Sequence, residues 1–234
     1  MTRTVAALFL FGISFGYLEA SVVVYLRAIY DPIRQQIHPG RQPGELFPLI
    51  STEQLAAAGP EHPRQLAIEV GREAITILML AAFGLAAGRN FNERMAAFAV
   101  AFGLWDIAFY AFLKLMIHWP ASLFTWDILF LIPLPWVGPV LAPCLVSLTL
   151  IVCGLISLKM GGLPASPLAW AGMIAGGIGV ILSFVWDYRN TMTGGLPNPF
   201  NWPLFLASEA LAVAGFIYAV KTRGYRESRT RRDS

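Results

Sequence analysis

The chain alternates between long apolar runs and short polar connections. The apolar runs cover residues 4–29, 66–87, 95–117, 128–158, 168–187 and 203–220. Because roughly 20 apolar residues cross the hydrocarbon core of a bilayer as one helix, each run is long enough to span a membrane. A helix also satisfies its own backbone hydrogen bonds, which lipid cannot do. The pattern therefore predicts an all-α fold, a polytopic integral membrane bundle of about six transmembrane helices.

The fourth apolar run is too long for one straight crossing, and its first part is crowded with breaks. Pro133, Pro135 and Pro139 fall within residues 118–143, together with three tryptophans. Proline lacks a backbone N–H and clashes with the preceding helical turn. Non-helical backbone at membrane depth must be buried in protein or face water. We therefore predict a broken or re-entrant segment before the fourth crossing, which would begin near Val137.

Composition agrees with this class, and the distribution of charge predicts an orientation. Charged residues make up 13% of the chain, against roughly 25% in soluble domains. Since basic residues mark cytoplasmic flanks, we predict one transmembrane domain over residues 1–220 and a basic cytoplasmic tail over 221–234. Both termini would then face the cytoplasm from a bacterial-type inner membrane. The lipid bilayer is the expected partner of the tail, and nucleic acid is not, because no folded nucleic-acid-binding module accompanies it. The tail cations are Lys221, Arg223, Arg226, Arg229, Arg231 and Arg232.

The connection over residues 31–65 is the longest polar segment between apolar runs. Ser51 and Gln54 have the spacing of a capping box, which predicts a short helix continuing through Ala58. Pro63 suits the first turn of the following helix. The segment is too small to form its own core, so we predict an extracytoplasmic loop that covers the outer mouth of the bundle.

Small and charged residues share helical faces. In the first run Gly12, Gly16, Glu19, Val23 and Arg27 recur every three or four residues, with the glycines preceding the charges. The second, third and fifth runs repeat the pattern, with small residues towards the cytoplasm and charges towards the outside. Since small residues let helices approach closely in lipid, we predict a sealed cytoplasmic half and an outward-facing polar site.

Two carboxylates lie deepest in the predicted spans. A charged side chain at the bilayer centre costs about 3 kcal/mol on insertion scales, so Glu19 and Asp106 should face the interior of the bundle. We predict that they act as acid or base on a substrate; the alternative is a purely structural pair between helices. Candidate cationic partners in the same layer are Arg27, Arg72, Lys114 and Arg189.

Other side chains of the outer layer are predicted to bind the substrate. Structural alternatives exist for several: Asp127 could cap a helix, Glu69 and Glu73 suit a helix N-terminus, and the tryptophans suit an interfacial belt. The predicted substrate-binding residues are Arg27, Glu69, Arg72, Glu73, Tyr110, Lys114, Trp126, Asp127, Asp187 and Glu209.

Histidine and cysteine spacing predicts no metal site, and no motif names a cofactor. His38, His62 and His118 have no recognised ligand spacing; a metal held by them with outer carboxylates is the weaker alternative. Cys144 and Cys153 lie nine residues apart in one predicted helix. They therefore face opposite sides and are expected to remain free thiols.

One segment resembles part of a known family. Trp186 and Asp187, the stretch 194–197 (Gly-Gly-Leu-Pro) and Glu209 resemble segments of the small membrane-bound carotenoid cyclases, which apply acid chemistry to a polyene. The resemblance covers only residues 186–209, and the paired glutamates of that family do not follow Pro197. It implies a lipidic substrate.

Three functions fit these features. The first is a membrane-embedded enzyme or binding protein for a lipid or isoprenoid substrate, with Glu19 and Asp106 supplying acid or base chemistry. The second is a small proton-coupled transporter that uses the same carboxylates as a relay. The third is an accessory integral subunit of a respiratory or photosynthetic membrane complex, in which the polar faces bury contacts with partner subunits.

Overall fold

The computed structural model describes residues 2–42 and 44–230. Within these ranges, six helical segments are long and apolar enough to cross a membrane, which confirms the multi-pass helical architecture. The elements in chain order are α1 (Thr2–Ile37), α2 (Thr52–Ala58), α3 (His62–Ala87), α4 (Phe91–Ile117), β1 (Trp126–Phe130), β2 (Trp136–Pro139), α5 (Leu141–Lys159), α6 (Pro167–Val185), α7 (Tyr188–Met192) and α8 (Trp202–Thr230).

Helix α4 lies at the centre of one group of helices, and α6 and α8 form a second group. Helix α4 packs along α1, α3 and α5, whereas α6 packs along α8. Small residues make these contacts close, as the sequence predicted. A Cβ added to Gly16 would lie 2.6 Å from the Cβ of Ala108, and one added to Gly176 would lie 2.7 Å from the Cβ of Ala212.

The predicted break before the fourth crossing is present, but it forms a β-hairpin. Strands β1 and β2 pair antiparallel, with Trp126 opposite Pro139 and Ile128 opposite Val137. The predicted start of the crossing near Val137 is therefore wrong, since the helix begins at Leu141. Pro133 lies between the two strands. A helix is unfavourable at this position because proline has no backbone N–H to donate to the preceding turn.

The structure moves two predicted boundaries, the start of the connection after the first helix and the end of the last helix. Helix α1 extends to Ile37 through Pro32, beyond the predicted end at residue 29. Helix α8 continues to Thr230, so the predicted tail begins as a continuation of that helix. Tail residues Arg231 and Arg232 lie outside the described residues.

Two local predictions are confirmed. The Ser51 side chain accepts a hydrogen bond from the Gln54 backbone N–H, and the Gln54 side chain accepts one from the Ser51 N–H, which closes the capping box of α2. Pro63 occupies the first turn of α3.

At the other end of the bundle, Arg223 donates hydrogen bonds to the carbonyls of Met160 and Gly162, which joins α8 to the α5–α6 connection.

Candidate functional site

A cavity of about 430 Å³ lies between the two helix groups. Side chains from α1, α3, α4, α5, α6 and α8 line it, and residues 128–130 and 136 of the hairpin close one end. The cavity is partly open to the outside of the molecule. It exists because α5 and α8 make few contacts with each other, while each packs closely on another neighbour.

The cavity is elongated along the helix axes. On α4 its lining runs from Phe98 to Tyr110, and on α6 from Met173 to Phe184. At 1.5 Å per helical residue, these segments span roughly 16–18 Å. Aromatic and aliphatic side chains make up most of the wall, including Phe216 near the end away from the hairpin. This shape and chemistry suit an extended apolar molecule.

A cluster of charged side chains lies against the cavity between α1 and α3. Arg72 Nη1 donates to Glu19 Oε1 at 2.5 Å. The same guanidinium donates from Nε to Glu69 Oε2 at 2.8 Å, and from Nη2 to the other oxygen of Glu69. The bidentate contact fixes the orientation of the arginine. Arg72 was one of the predicted partners of Glu19, and Glu69 accepts from two further donors of the same guanidinium.

Asp106 lies in a different environment on α4. Its side chain is buried, and its Oδ2 accepts a hydrogen bond from the Ser147 hydroxyl on α5 at 2.7 Å. Among the described residues, no other group donates to Asp106 and no cation pairs with it. The second carboxyl oxygen is therefore available to a molecule in the cavity, which Asp106 lines.

Two hydrogen bonds hold the hairpin over the cavity. Glu73 Oε2 on α3 accepts from the backbone N–H of Leu131 at 2.8 Å. Tyr110 on α4 donates from its hydroxyl to Asp127 Oδ2 at 2.9 Å. Asp127 is 5% exposed, and burial raises its pKa to about 6, although Arg27 and the Tyr110 hydroxyl both favour the charged form. These contacts connect the hairpin to two separate helices, α3 and α4.

Aromatic rings connect the hairpin to the wall of the cavity. The ring centroids of Phe130 and Trp136 lie 5.5 Å apart, and Trp136 stacks on Phe184 at 6.4 Å. Trp105 on α4 contacts Phe130 at 6.3 Å. Such ring pairs add to the energy of apolar burial, so the hairpin is part of the packed interior of the bundle.

The structure divides the predicted site residues into two sets. Seven of them line the cavity: Glu19, Glu69, Arg72, Glu73, Asp106, Tyr110 and Glu209. The other five do not line it: Arg27, Lys114, Trp126, Asp127 and Asp187.

The second set makes other contacts on the hairpin side of the bundle. The guanidinium of Arg27 lies 3.9 Å from the centroid of the Trp119 ring. Lys114 donates to the carbonyl of Pro120 at 2.8 Å. Asp187 accepts from the backbone N–H and the side-chain amide of Asn198, which closes the loop before α8. Trp126 packs edge-to-face with two phenylalanine rings.

Sequence reasoning missed several lining residues, Ser147 foremost. Ser147 lies 41 residues from Asp106 along the chain, so no motif spacing connects them. The only signal was a hydroxyl residue within an apolar run, and the same run also holds Thr149 and Ser157. Thr76, which donates to Glu19 at 3.5 Å, was missed for the same reason. Of the hairpin aromatics, Trp126 was the one predicted to bind substrate, whereas Phe130 and Trp136 are the ones that line the cavity.

The described residues contain no group of three or more His, Cys, Asp or Glu side chains arranged to hold a metal ion. Cys144 and Cys153 are both free thiols. Comparison of the chain with protein-family models, with curated proteins and with solved structures found no match.

Proposed function

We propose that this membrane protein binds an elongated lipid or isoprenoid molecule in the cavity and acts on it with a buried carboxyl group. The observation that carries this proposal is the cavity of about 430 Å³, which combines a mainly apolar wall with carboxylates from four helices. An apolar chain would gain contact with the aromatic wall. Its polar group would lie between the middle of the cavity and the hairpin, where the carboxylates are.

The two deepest carboxylates have different roles in this proposal. Glu19 forms an ion pair with Arg72, so it serves mainly to hold that guanidinium in place. Asp106 has a hydroxyl donor and no cation among the described residues, and one of its oxygens is available to the cavity. A carboxyl group placed within hydrogen-bond reach of a substrate can transfer a proton to or from it. Asp106 is therefore the proposed proton-transfer group.

The orientation follows from charge. In the proposed arrangement the chain is inserted in a bacterial-type inner membrane, with both termini in the cytoplasm and the hairpin end of the cavity in the outer leaflet. The supporting observation is the excess of lysine and arginine at the end of the bundle opposite the hairpin, including Arg89, Arg94 and Lys159. The substrate would then enter from the outer half of the bilayer.

Filling the cavity should displace the bound molecule without unfolding the protein. Gly177 lines the cavity, and a Cβ added there meets no atom within 4 Å. We expect Gly177→Trp to occupy the cavity and to remove the lipid that copurifies with the wild-type chain. The measurement is solvent extraction of the purified protein followed by mass spectrometry, with the bound species reported per mole of protein.

Gly71→Trp is the matched control for this experiment. Gly71 also lies in a spanning helix with open space around its added Cβ, but it is exposed and lies outside the cavity. The control should retain the species found in the wild type. If the wild type yields no species beyond those of Gly177→Trp, the cavity is not a lipid site and the proposal fails.

Proton-coupled transport is the second candidate function. The observation that favours it is the meeting of carboxylates from α1, α3, α4 and α8 on one cavity, an arrangement that suits proton exchange within a membrane. Reconstituted vesicles separate the two functions. A transporter would move protons when its substrate is supplied on one side, whereas the proposed enzyme or binding protein would not. A stable partner chain in the purified protein would instead favour the role of complex subunit.

A further inference from the structure

We propose that the cavity selects amphiphiles whose polar group is a hydroxyl or an amine, and that it excludes those ending in phosphate or carboxylate. This inference rests on the proposed function and adds the class of polar group. It follows from three observations on the described residues: the charges that line the cavity, the contacts of the lining cation Arg72, and carboxyl oxygens that lack donors.

The charges lining the cavity are strongly unequal. Among the described residues, one guanidinium faces the cavity, that of Arg72. The carboxylates lining it are those of Glu19, Glu69, Glu73, Asp106 and Glu209. An anionic headgroup would bring a further negative charge into this group, within an apolar environment where like charges repel strongly. A neutral or cationic polar group meets no such repulsion.

The lining cation already has a partner at each of its three nitrogens. Arg72 donates to both oxygens of Glu69 and to one oxygen of Glu19, and it also lies 3.4 Å from the Thr76 hydroxyl. A phosphate or carboxylate could reach this guanidinium only by displacing a carboxylate, which would then be buried without its partner. Arg72 is therefore a structural cation and not a headgroup receptor.

The nearest other cations on the hairpin side are directed elsewhere. Arg27 lies over the ring of Trp119, and Lys114 donates to the carbonyls of His118 and Pro120. Neither lines the cavity. Within the described part of the chain, an anion bound in the cavity would have no unengaged positive group beside it.

Carboxyl oxygens of Asp106 and Glu209 lack donors among the described residues. Glu209 Oε1 is buried and has no hydrogen-bond partner among the described residues. One oxygen of Asp106 also lacks a donor, since Ser147 occupies only Oδ2. A buried acceptor without a donor costs free energy. A ligand that carries O–H or N–H groups can donate to the free oxygen of Asp106, which lines the cavity, whereas a carboxylate or a fully ionised phosphate offers acceptors where donors are needed.

Ligands that differ only in their polar group test this selectivity. The probes are the alcohol, the amine, the carboxylate and the phosphate of the hexadecyl chain and of the geranylgeranyl chain. Binding to the purified protein is followed by the change in tryptophan fluorescence, because Trp105 and Trp136 line the cavity. Signal is counted only where Gly177→Leu, which fills the cavity without adding a fluorophore, removes it. We expect the alcohol or the amine to bind at least about tenfold more tightly than either anion.

A charge substitution at the cluster tests the cause of the selectivity. Glu69→Gln removes the negative charge of a carboxylate that pairs with Arg72. The ratio of the Kd for the anions to the Kd for the alcohol or amine should therefore fall by about tenfold. Glu45→Gln removes a carboxylate that pairs with Arg41 at the surface, and it should leave the preference unchanged.

The outcomes separate this inference from the function on which it rests. Equal or tighter binding of the phosphate or carboxylate would overturn the selectivity while leaving the lipid site intact. Specific binding of none of the eight probes would overturn the proposed function, and this inference with it. An unchanged preference in Glu69→Gln would contradict the assignment of selectivity to the Arg72 cluster.

Discussion

Replacing Arg72 with methionine is expected to lower the free energy of unfolding by about 3–5 kcal/mol, the range found when one partner of a buried ion pair is removed. The substitution keeps a side chain of similar length but leaves Glu19 and Glu69 without a cation. Their side chains are 9% and 12% exposed, so solvent compensates little. Thermal and denaturant unfolding of the detergent-solubilised variant measures the loss.

Two variants test whether the loss of stability comes from the buried Arg72 cluster or from the removal of any cation. Arg41→Met removes an exposed arginine that pairs with Glu45 at 3.5 Å, and it should cost less than about 1 kcal/mol because surface ion pairs contribute little. Combining Arg72→Met with Glu19→Gln and Glu69→Gln removes the unpaired charges and should recover much of the loss. A loss below about 1 kcal/mol in Arg72→Met would show that the cluster is solvated rather than buried.

Replacing Asp106 with asparagine is expected to reduce turnover of the bound molecule by about 10²- to 10⁴-fold, the usual contribution of a general acid or base. Asparagine fills the same space and can still accept the Ser147 hydrogen bond, but it cannot transfer a proton. Binding should therefore persist while conversion stops. The measurement is the rate of conversion of the lipid identified by extraction, together with the amount that copurifies with the variant.

Asp187→Asn is the matched control, since Asp187 is also a carboxylate at the hairpin end but lies outside the cavity and bonds to Asn198. Its turnover should remain close to that of the wild type. Ser147→Ala should reduce turnover less than Asp106→Asn, because it changes only the orientation of the carboxyl group. Wild-type turnover in Asp106→Asn would remove Asp106 from the proposed proton transfer.

The apolar runs and small residues predicted the bundle because they act locally. A run of 20 apolar residues has few alternatives to a membrane helix, and Gly16 and Gly176 indicated close helix contacts before their partners were known. The cost of burying charge likewise indicated that Glu19 and Asp106 would face the interior. Both are buried and line the same cavity.

The hairpin and the partners of Asp106 could not be predicted in the same way. Residues 126–130 do not alternate between polar and apolar types, and all five are buried or half-buried, so their pattern did not predict a strand. The Asp106–Ser147 hydrogen bond depends on the rotation of α5 against α4, which no spacing within either helix determines. The same holds for the five predicted residues outside the cavity, since Arg27 and Lys114 share the charged layer but point to other partners.

The most direct test of the lipid site is an experimental density map of the protein purified without added ligand and held in a lipid nanodisc. The account predicts continuous elongated density from Phe98 and Met173 towards the hairpin, with its polar end within hydrogen-bond reach of Asp106. A map in which side chains fill this space, or in which only isolated waters occupy it, would contradict the account.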